Sequence, residues 1–245
     1  MASQYKFESR DDRIERMMRN NQRLTIQQAI AIVDGIWEQR RKLILSQIPL
    51  RFKEADIEDL GYLKDILLAD IQGILSPSEV DSKTGLILCG PPGSGKTYAV
   101  FAALKWLANQ NPEIIASIRS YSRTIQSLRD EFLSGSYSEI GSTWDKLMNE
   151  SGMYSGVIFL DDAVSQKPTD FEIDKLLMVL DHRLDNYMPF IITTNIAPED
   201  FQERFGERIA SRLIGTCHIN VLSGLDRRLM TREENREYNQ EEHGE

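Results

Sequence analysis

Short apolar runs alternate with longer amphipathic segments from residue 85 to residue 222. Five runs have the length and residue types of buried strands: Gly85–Cys89, Ile114–Ile118, Val157–Leu160, Phe190–Thr194 and His218–Leu222. Helical spacing is typical of the segments Tyr98–Leu107, Thr124–Leu133, Ser142–Met148 and Phe171–Leu184. Because strands that alternate with helices form parallel sheets covered on both faces, we predict an α/β fold with a doubly wound parallel sheet.

The N-terminal region has a different pattern, with only a narrow apolar stripe. Ile26, Ile30, Val33 and Trp37 recur at helical spacing, and the preceding segment Asp11–Arg23 is rich in arginine. These helices either pack on a small core of their own or dock a partner, since so narrow a stripe is poorly buried alone. We take the second alternative as the working prediction.

Composition and length place these elements in a globular chain with three parts. The 245 residues are 41% hydrophobic and 27% charged, which is ordinary for a globular protein. We predict an N-terminal helical, partner-binding region at 1–45, an α/β domain at 46–228 and an acidic, disordered tail at 229–245. No apolar run approaches the roughly 18 residues of a membrane span, so we expect no membrane association.

Charge and cysteine content exclude several classes of function. The net charge of −9 gives no support to strong non-specific DNA binding, so a nucleic-acid contact would need a local basic patch. The two cysteines, Cys89 and Cys217, have no metal-ligand spacing, which argues against a zinc site or a disulfide framework. We therefore expect a cytoplasmic protein.

The most specific motif is a phosphate-binding loop between the first strand and its helix. Residues 90–97 match G-x-x-x-x-G-K-[ST] in full: Gly90, Pro91, Pro92, Gly93, Ser94, Gly95, Lys96 and Thr97. Backbone N–H groups and the helix N-terminus would bind the phosphates, with Lys96 on the β/γ oxygens and Thr97 on Mg²⁺. We also assign Tyr98, which follows directly, to nucleotide contact. The domain is therefore predicted to be a P-loop NTPase.

Two carboxylates follow the buried strand Val157–Leu160. Strands of such sheets end at the ligand crevice, so Asp161 and Asp162 are expected to lie beside the phosphates. We predict that Asp161 holds Mg²⁺ and that Asp162 is the general base for the attacking water. The alternative is an acidic turn after a core strand.

The strand Phe190–Thr194 also ends in a polar residue, Asn195. If this strand lies between the phosphate loop and the acidic strand, Asn195 would lie near the γ-phosphate and the lytic water. It could then sense whether the γ-phosphate is present. Alternatively, Asn195 or Asp200 is only a helix cap.

Arginines recur every four residues at Arg204, Arg208 and Arg212, which predicts one helix face lined with guanidinium groups. They either pair with Glu203 and Glu207 on a solvated face or stabilise γ-phosphate charge in a neighbouring subunit. For Arg204 we favour the surface role.

Together these motifs resemble the AAA+ ATPases of the DnaC/DnaI helicase-loader and IstB group over about residues 45–228. The resemblance includes Ile48–Asp56, the phosphate loop, Asp161-Asp162, Thr193-Thr194-Asn195 and Gly206–Arg212. It implies an AAA+ ATPase domain at 46–228 that uses ATP and Mg²⁺ and forms a homo-oligomer with ATP.

The resemblance also implies roles for several arginines. Arg212 matches the arginine finger, with Arg208 as its companion. Gly224–Arg228 matches the terminal sensor segment, in which we prefer Arg228 to Arg227 as the nucleotide contact.

The segment Ser117–Glu150 corresponds to the insertion that lines a single-stranded DNA path in such loaders. In this segment the candidates for DNA contact are Arg119, Tyr121, Arg123, Arg129 and Lys146. Cations suit backbone phosphates and aromatic rings suit stacked bases. A solvated helix face with mixed charge is the alternative.

By resemblance, the function is ATP-dependent loading of a ring-shaped replicative helicase onto single-stranded DNA. An IstB-type ATPase that regulates a DNA transposase is the nearest alternative. A metabolic P-loop kinase and a binding switch with negligible hydrolysis are further alternatives. Two features depart from the family pattern: Asp162 stands where most AAA+ proteins have Glu, and the N-terminal region lacks zinc-ligand cysteines.

Overall fold

A five-stranded parallel sheet forms the centre of the fold and confirms the predicted α/β class. The computed structural model describes residues 10–75, 83–110, 116–148, 156–164, 168–223, 226–227 and 234. Within these ranges the strands are β1 (Gly85–Cys89), β2 (Ala116–Ser120), β3 (Val157–Asp161), β4 (Phe190–Thr194) and β5 (Cys217–Val221). Their order is β2-β3-β4-β1-β5, and all neighbouring pairs are parallel.

Three strands have bounds that differ from the prediction. β2 spans 116–120 rather than 114–118, β5 spans 217–221 rather than 218–222, and β3 extends one residue further, to Asp161. Pairing decides these boundaries, because Ser120 lies in register with Asp161 of β3 and Cys217 with Gly85 of β1. Hydropathy alone does not contain that register. Residues 114 and 115 lie outside the described part of the chain.

Helices cover both faces of the sheet. In the described ranges they are α1 (Arg10–Asn20), α2 (Ile26–Gln47), α3 (Leu63–Leu75), α4 (Lys96–Gln110), α5 (Tyr121–Ser134), α6 (Thr143–Met148), α7 (Asp170–Asp185), α8 (Phe201–Phe205) and α9 (Glu207–Thr216). Alternate β1 residues enter different cores. Leu86 and Leu88 pack with α3 and α4, whereas Ile87 and Cys89 pack with α7 and α9. The sheet is therefore buried on both faces, as a parallel sheet requires.

The N-terminal helices α1 and α2 pack on a small apolar cluster of their own. Ile14, Ala29 and Val33 form this cluster. Thr25 begins α2 with a capping box, since its hydroxyl accepts from the Gln28 backbone N–H and the Gln28 side chain accepts from the Thr25 backbone N–H. A separate core of this size is consistent with either role predicted for the region.

Helix α2 continues without a break from that cluster into the core of the α/β domain. Ile44, near its C-terminus, is buried in the same core as α3 and α4, and Arg41 donates to the side chain of Asn109 in α4. The boundary near residue 45 stays a prediction. In the structure, one continuous helix, Ile26–Gln47, crosses it.

One buried arginine fixes the turn of α7 nearest the base of the sheet. Arg183 is 1% exposed, and its guanidinium donates to the carbonyl oxygens of Leu147, Gly156 and Pro189 at 3.0, 2.7 and 2.8 Å. Gly156 and Pro189 directly precede β3 and β4. Because the guanidinium donates to backbone carbonyls directly before β3 and β4, it holds α7 against both strands.

Candidate active site

The carboxyl ends of β1, β3 and β4 bring the predicted site residues to one edge of the sheet. β4 lies between β1 and β3, which confirms the expected position of the strand that precedes Asn195. The phosphate loop (Gly90–Thr97) follows β1, and Asp161 ends β3. This edge is where ligands bind in open parallel sheets.

The phosphate loop has a backbone that requires glycine. Gly90 has φ 146°, and a Cβ there would lie 2.2 Å from the carbonyl oxygen of Leu222. The Lys96 side chain is buried, and its Nζ donates to the carbonyl oxygens of Gly90 and Pro91 at 2.7 and 2.8 Å. Because α4 begins at Lys96, a buried ammonium and a helix N-terminus coincide, which favours a phosphate group.

Thr97 and Asp161 meet at the end of β3. The Thr97 hydroxyl donates to Asp161 Oδ1 at 2.7 Å, and the Thr193 hydroxyl donates to the same oxygen at 2.8 Å. Such oxygen donors suit Mg²⁺, so these residues fit the predicted ion. Among the described residues no three His, Cys, Asp or Glu side chains group as a metal site. Mg²⁺ would therefore depend on Thr97, Asp161 and the phosphates themselves.

Asp162 is held in an unusual backbone conformation beside Asn195. Its φ is 56°, in the left-handed region that non-glycine residues rarely adopt. The Asp162 N–H donates to Thr193 Oγ1 at 2.9 Å, and the Asn195 amide donates to Asp162 Oδ1 at 3.0 Å. The two residues predicted to lie near the attacking water are thus hydrogen-bonded to each other.

Thr193 was named from the sequence only as part of the Thr193-Thr194-Asn195 motif, without a role of its own, yet it joins the two carboxylate residues. Its side chain is 1% exposed, and its hydroxyl both donates to Asp161 and accepts from the Asp162 backbone. One signal was available: a polar residue lies within a strand whose preceding positions, Phe190–Ile192, are all apolar. A buried hydroxyl in such a strand needs a partner.

Tyr98 binds the segment that leads into the domain. Its hydroxyl donates to Asp59 Oδ2 at 2.5 Å and accepts from the Asp56 backbone N–H at 3.2 Å. The 3-10 helix Ile57–Leu60 is thereby fixed to the first turn of α4. The nucleotide contact predicted for Tyr98 stays a prediction.

The three arginines do not share one helix face, so this prediction was wrong. α8 ends at Phe205, Gly206 has φ 82° and ψ 158°, and α9 begins at Glu207. Because this glycine conformation ends α8, Arg204 lies on a different helix from Arg208 and Arg212. The surface pairs considered for Arg204 and Arg208 are absent among the described residues, whereas Arg212 contacts Asp181 of α7.

Arg227 lies against the phosphate loop. Its backbone N–H donates to the carbonyl oxygen of Gly93 at 3.0 Å, and its Cδ lies 3.2 Å from the position of a Cβ at Gly95. Arg228, the preferred sensor residue, lies outside the described residues. Of the two candidates for the sensor residue, Arg227 is the one that the structure describes, and it lies next to the phosphate loop.

The predicted DNA-binding segment is only partly exposed. Tyr121 is buried, so its ring is not exposed for stacking and its expected role as a platform for bases was wrong. Burial also raises the pKa of its hydroxyl. The ring packs with α7 because Tyr121 begins α5 on the side that faces the core. Arg129 donates to Thr169 Oγ1 and lies over the Phe171 ring, whereas Arg123 is exposed.

Residues 86–215, more than half of the chain, match the family described as ATPase family associated with various cellular activities (AAA). The chain belongs to the AAA family of ATPases. The predicted P-loop fold and ATPase class are confirmed.

Two sequence relatives and one solved structure extend this result. This AAA ATPase is 26% identical over 180 residues to a protein named as an ATP-binding protein in an insertion sequence of Mycobacterium tuberculosis, covering 70% of this chain and 67% of that protein. It is 25% identical over 158 residues to the replicative helicase loader DnaI of Bacillus subtilis, covering 63% of this chain and 46% of DnaI. It therefore spans about half the length of DnaI.

The fold resembles the crystal structure of the DnaC helicase loader with a TM-score of 0.57 and 21% identity, covering 71% of this chain and 100% of that chain. Together with the two sequence relatives, this likeness confirms the predicted resemblance to the DnaC/DnaI and IstB group.

The two cysteines of this AAA ATPase are unreactive because they are buried. Cys89 and Cys217 are free and buried, and burial raises the pKa of each thiol to about 12. Neither is therefore a nucleophile near neutral pH.

None of the helices in the described ranges combines the length and apolar character needed to cross a bilayer.

Replacing Thr193 with valine is expected to slow ATP hydrolysis about tenfold with little change in ATP affinity, because Asp161 and Asp162 lose their common partner. The measurement is steady-state turnover together with the binding of a fluorescent ATP analogue. Thr84→Val is the matched control, since Thr84 is also buried and its hydroxyl has no partner among the described residues. An equal loss in both variants would mean that Thr193 contributes only to packing.

Proposed function

We propose that this ATPase loads a ring-shaped replicative helicase onto single-stranded DNA and hydrolyses ATP in a site shared between subunits. The observation that carries the proposal is the hydrogen-bonded chain from Thr97 through Asp161 and Thr193 to Asp162 and Asn195. This chain connects the residues proposed to hold Mg²⁺, to activate water and to contact the γ-phosphate. A change at the γ-phosphate can therefore alter the conformation of the whole chain of residues.

In the proposed mechanism, each residue of the chain has one role. Lys96 and the backbone N–H groups of the loop bind the phosphates, and Thr97 with Asp161 would hold Mg²⁺, which neutralises phosphate charge when bound. Asp162 accepts a proton from the attacking water, and Asn195 orients Asp162 and contacts the γ-phosphate. Arg227 contacts the nucleotide of its own subunit.

A neighbouring copy completes the site with Arg212, accompanied by Arg208. Within the described residues, neither arginine has a hydrogen bond or ion pair with the phosphate loop or with Asp161. Both guanidinium groups are therefore proposed to act on the ATP of the adjacent subunit rather than on that of their own. ATP would then promote homo-oligomer formation, and hydrolysis would release the subunits.

The helices α1 and α2 support partner binding. Ile26 and Ile32 of α2 are 56% and 42% exposed, and the same helix reaches the core beside α4. A partner bound on α1–α2 would therefore be rigidly connected to the helix that begins at the phosphate loop. DNA contact is proposed through the exposed Arg123 of α5 and the phosphates of a single strand.

Regulation of a transposase is the second candidate. The similarity to the insertion-sequence protein of Mycobacterium tuberculosis favours it. Both candidates use the same ATPase, and they differ in the protein that α1 and α2 bind.

We expect the full-length protein, with a non-hydrolysable ATP analogue, to elute together with the hexameric replicative helicase of its own organism. Ile26→Glu with Ile32→Glu should weaken the complex at least tenfold, because charges would enter an apolar contact. Ile140→Glu is the control, since Ile140 is 78% exposed on another part of the molecule. The measurement is size-exclusion chromatography with light scattering. Elution with a transposase instead would support the second candidate, and binding to neither would contradict both.

A further inference from the structure

Arg212 is held by a carboxylate of its own subunit. Its Nε contacts Oδ1 of Asp181 in α7, and the side chains of Arg212 and Asp181 are 40% and 29% exposed. Asp181 Oδ1 is buried and accepts no hydrogen bond among the described residues, so its contact with Arg212 is an ion pair. The pair joins two helices that are far apart in the chain.

The way in which Asp181 holds Arg212 leaves its terminal amino groups available. Contact through Nε occupies one side of the guanidinium, and no other ion-pair partner of Arg212 is found among the described residues. The two terminal amino groups of a guanidinium can bind a phosphate in a two-pronged arrangement. Asp181 therefore orients Arg212 through Nε, while the two terminal amino groups, which would bind a phosphate, have no carboxylate partner among the described residues.

Both ends of the pair are fixed to the core. Asp181 lies two residues from Arg183, whose three hydrogen bonds to carbonyl oxygens fix that turn of α7. Ile209 and Leu213 of α9, on either side of Arg212, are each 1% exposed. A free arginine side chain loses rotamer entropy when it is immobilised. Contact with Asp181 orders the Arg212 side chain before any contact with a second subunit.

We propose that Asp181 is a positioning residue that orients Arg212 toward the ATP bound by the neighbouring copy. This inference rests on the proposed shared site. A simple surface ion pair would contribute little to stability and nothing to turnover. Positioning instead predicts a loss of turnover without a loss of stability or of ATP affinity, because the arginine would reach the phosphate less often in the productive orientation.

The test is Asp181→Asn, which keeps the shape and removes the charge. We expect hydrolysis by the assembled protein to fall about 10- to 100-fold. The melting temperature and the affinity for an ATP analogue should match those of the wild type. Asp185→Asn is the control, because Asp185 is exposed on the same helix. Adding Arg212→Ala to Asp181→Asn should cause no greater loss than Arg212→Ala alone.

Mixed assemblies test whether the effect crosses between subunits. Asp162→Asn subunits keep Arg212 and Asp181 but lack the general base, so they should restore hydrolysis by Asp181→Asn sites placed next to them. An unchanged or higher rate for Asp181→Asn alone would overturn the inference, as would a loss that mixing does not restore. If Arg212→Ala itself leaves the rate unchanged, the shared site fails instead, which separates the two failures.

Discussion

Replacing Arg212 with alanine is expected to slow ATP hydrolysis by about 10³–10⁵ while ATP binding is retained. The proposed reason is that a guanidinium from the adjacent subunit stabilises the negative charge that develops on the γ-phosphate, in addition to Lys96 and Mg²⁺ of the subunit that binds the ATP. Single-turnover hydrolysis and the binding of an ATP analogue, both at protein concentrations that give assembly, measure the two effects separately.

Arg204→Ala is the matched control for this experiment. Arg204 is an exposed arginine on α8, across the Gly206 break, and it makes no ion pair with another described residue. Its replacement should change the rate by less than twofold. A rate for Arg212→Ala equal to that of this control would show that Arg212 only pairs with Asp181.

Asp162→Asn is expected to reduce hydrolysis by about 10²–10⁴, because the amide cannot accept a proton from the attacking water. Asparagine keeps a carbonyl oxygen that can accept the bond from Asn195, so the local geometry should persist. ATP-bound assemblies should therefore form and fail to release. Turnover and the lifetime of the assembly after dilution measure the two consequences.

Asp200→Asn is the control for loss of a negative charge near the end of β4, since Asp200 is exposed. Asp162 stands where most AAA+ proteins have Glu, which suggests a second comparison. Asp162→Glu lengthens the side chain by one methylene and should retain hydrolysis, because the base remains. If Asp162→Asn hydrolyses ATP at the wild-type rate, Asp162 is not the base, and the binding-switch alternative gains support.

The α/β class and the phosphate loop were predictable because their signals are local. A five-residue apolar strand, three glycines at fixed spacing and a following helix lie within residues 85–110, and the backbone requirements are met by the residues themselves. The acidic residues after Leu160 and the polar residue after Thr194 were similarly visible, since both follow buried strands.

The helix break at Gly206 shows where periodicity misled. Arginines at a spacing of four residues predicted one helix face, but a glycine between them adopts φ 82° and separates α8 from α9. Glycine in a helical pattern is compatible with continuation or with an ending, and packing of Phe205 and Ile209 in the core decides between them. Tyr121 is a similar case, because its burial depends on α7.

The sequence by itself therefore determined the α/β class, the phosphate loop and which residue types stand at the ends of the strands. Tertiary structure alone decided that Thr193 joins Asp161 to Asp162, that Arg227 lies on the loop and that Asp181 holds Arg212. The physical reason is the range of the interactions. Strand and loop signals arise between residues close in the chain, whereas these contacts join residues about 30 to 130 positions apart, and only the packing of the sheet and its helices brings them together.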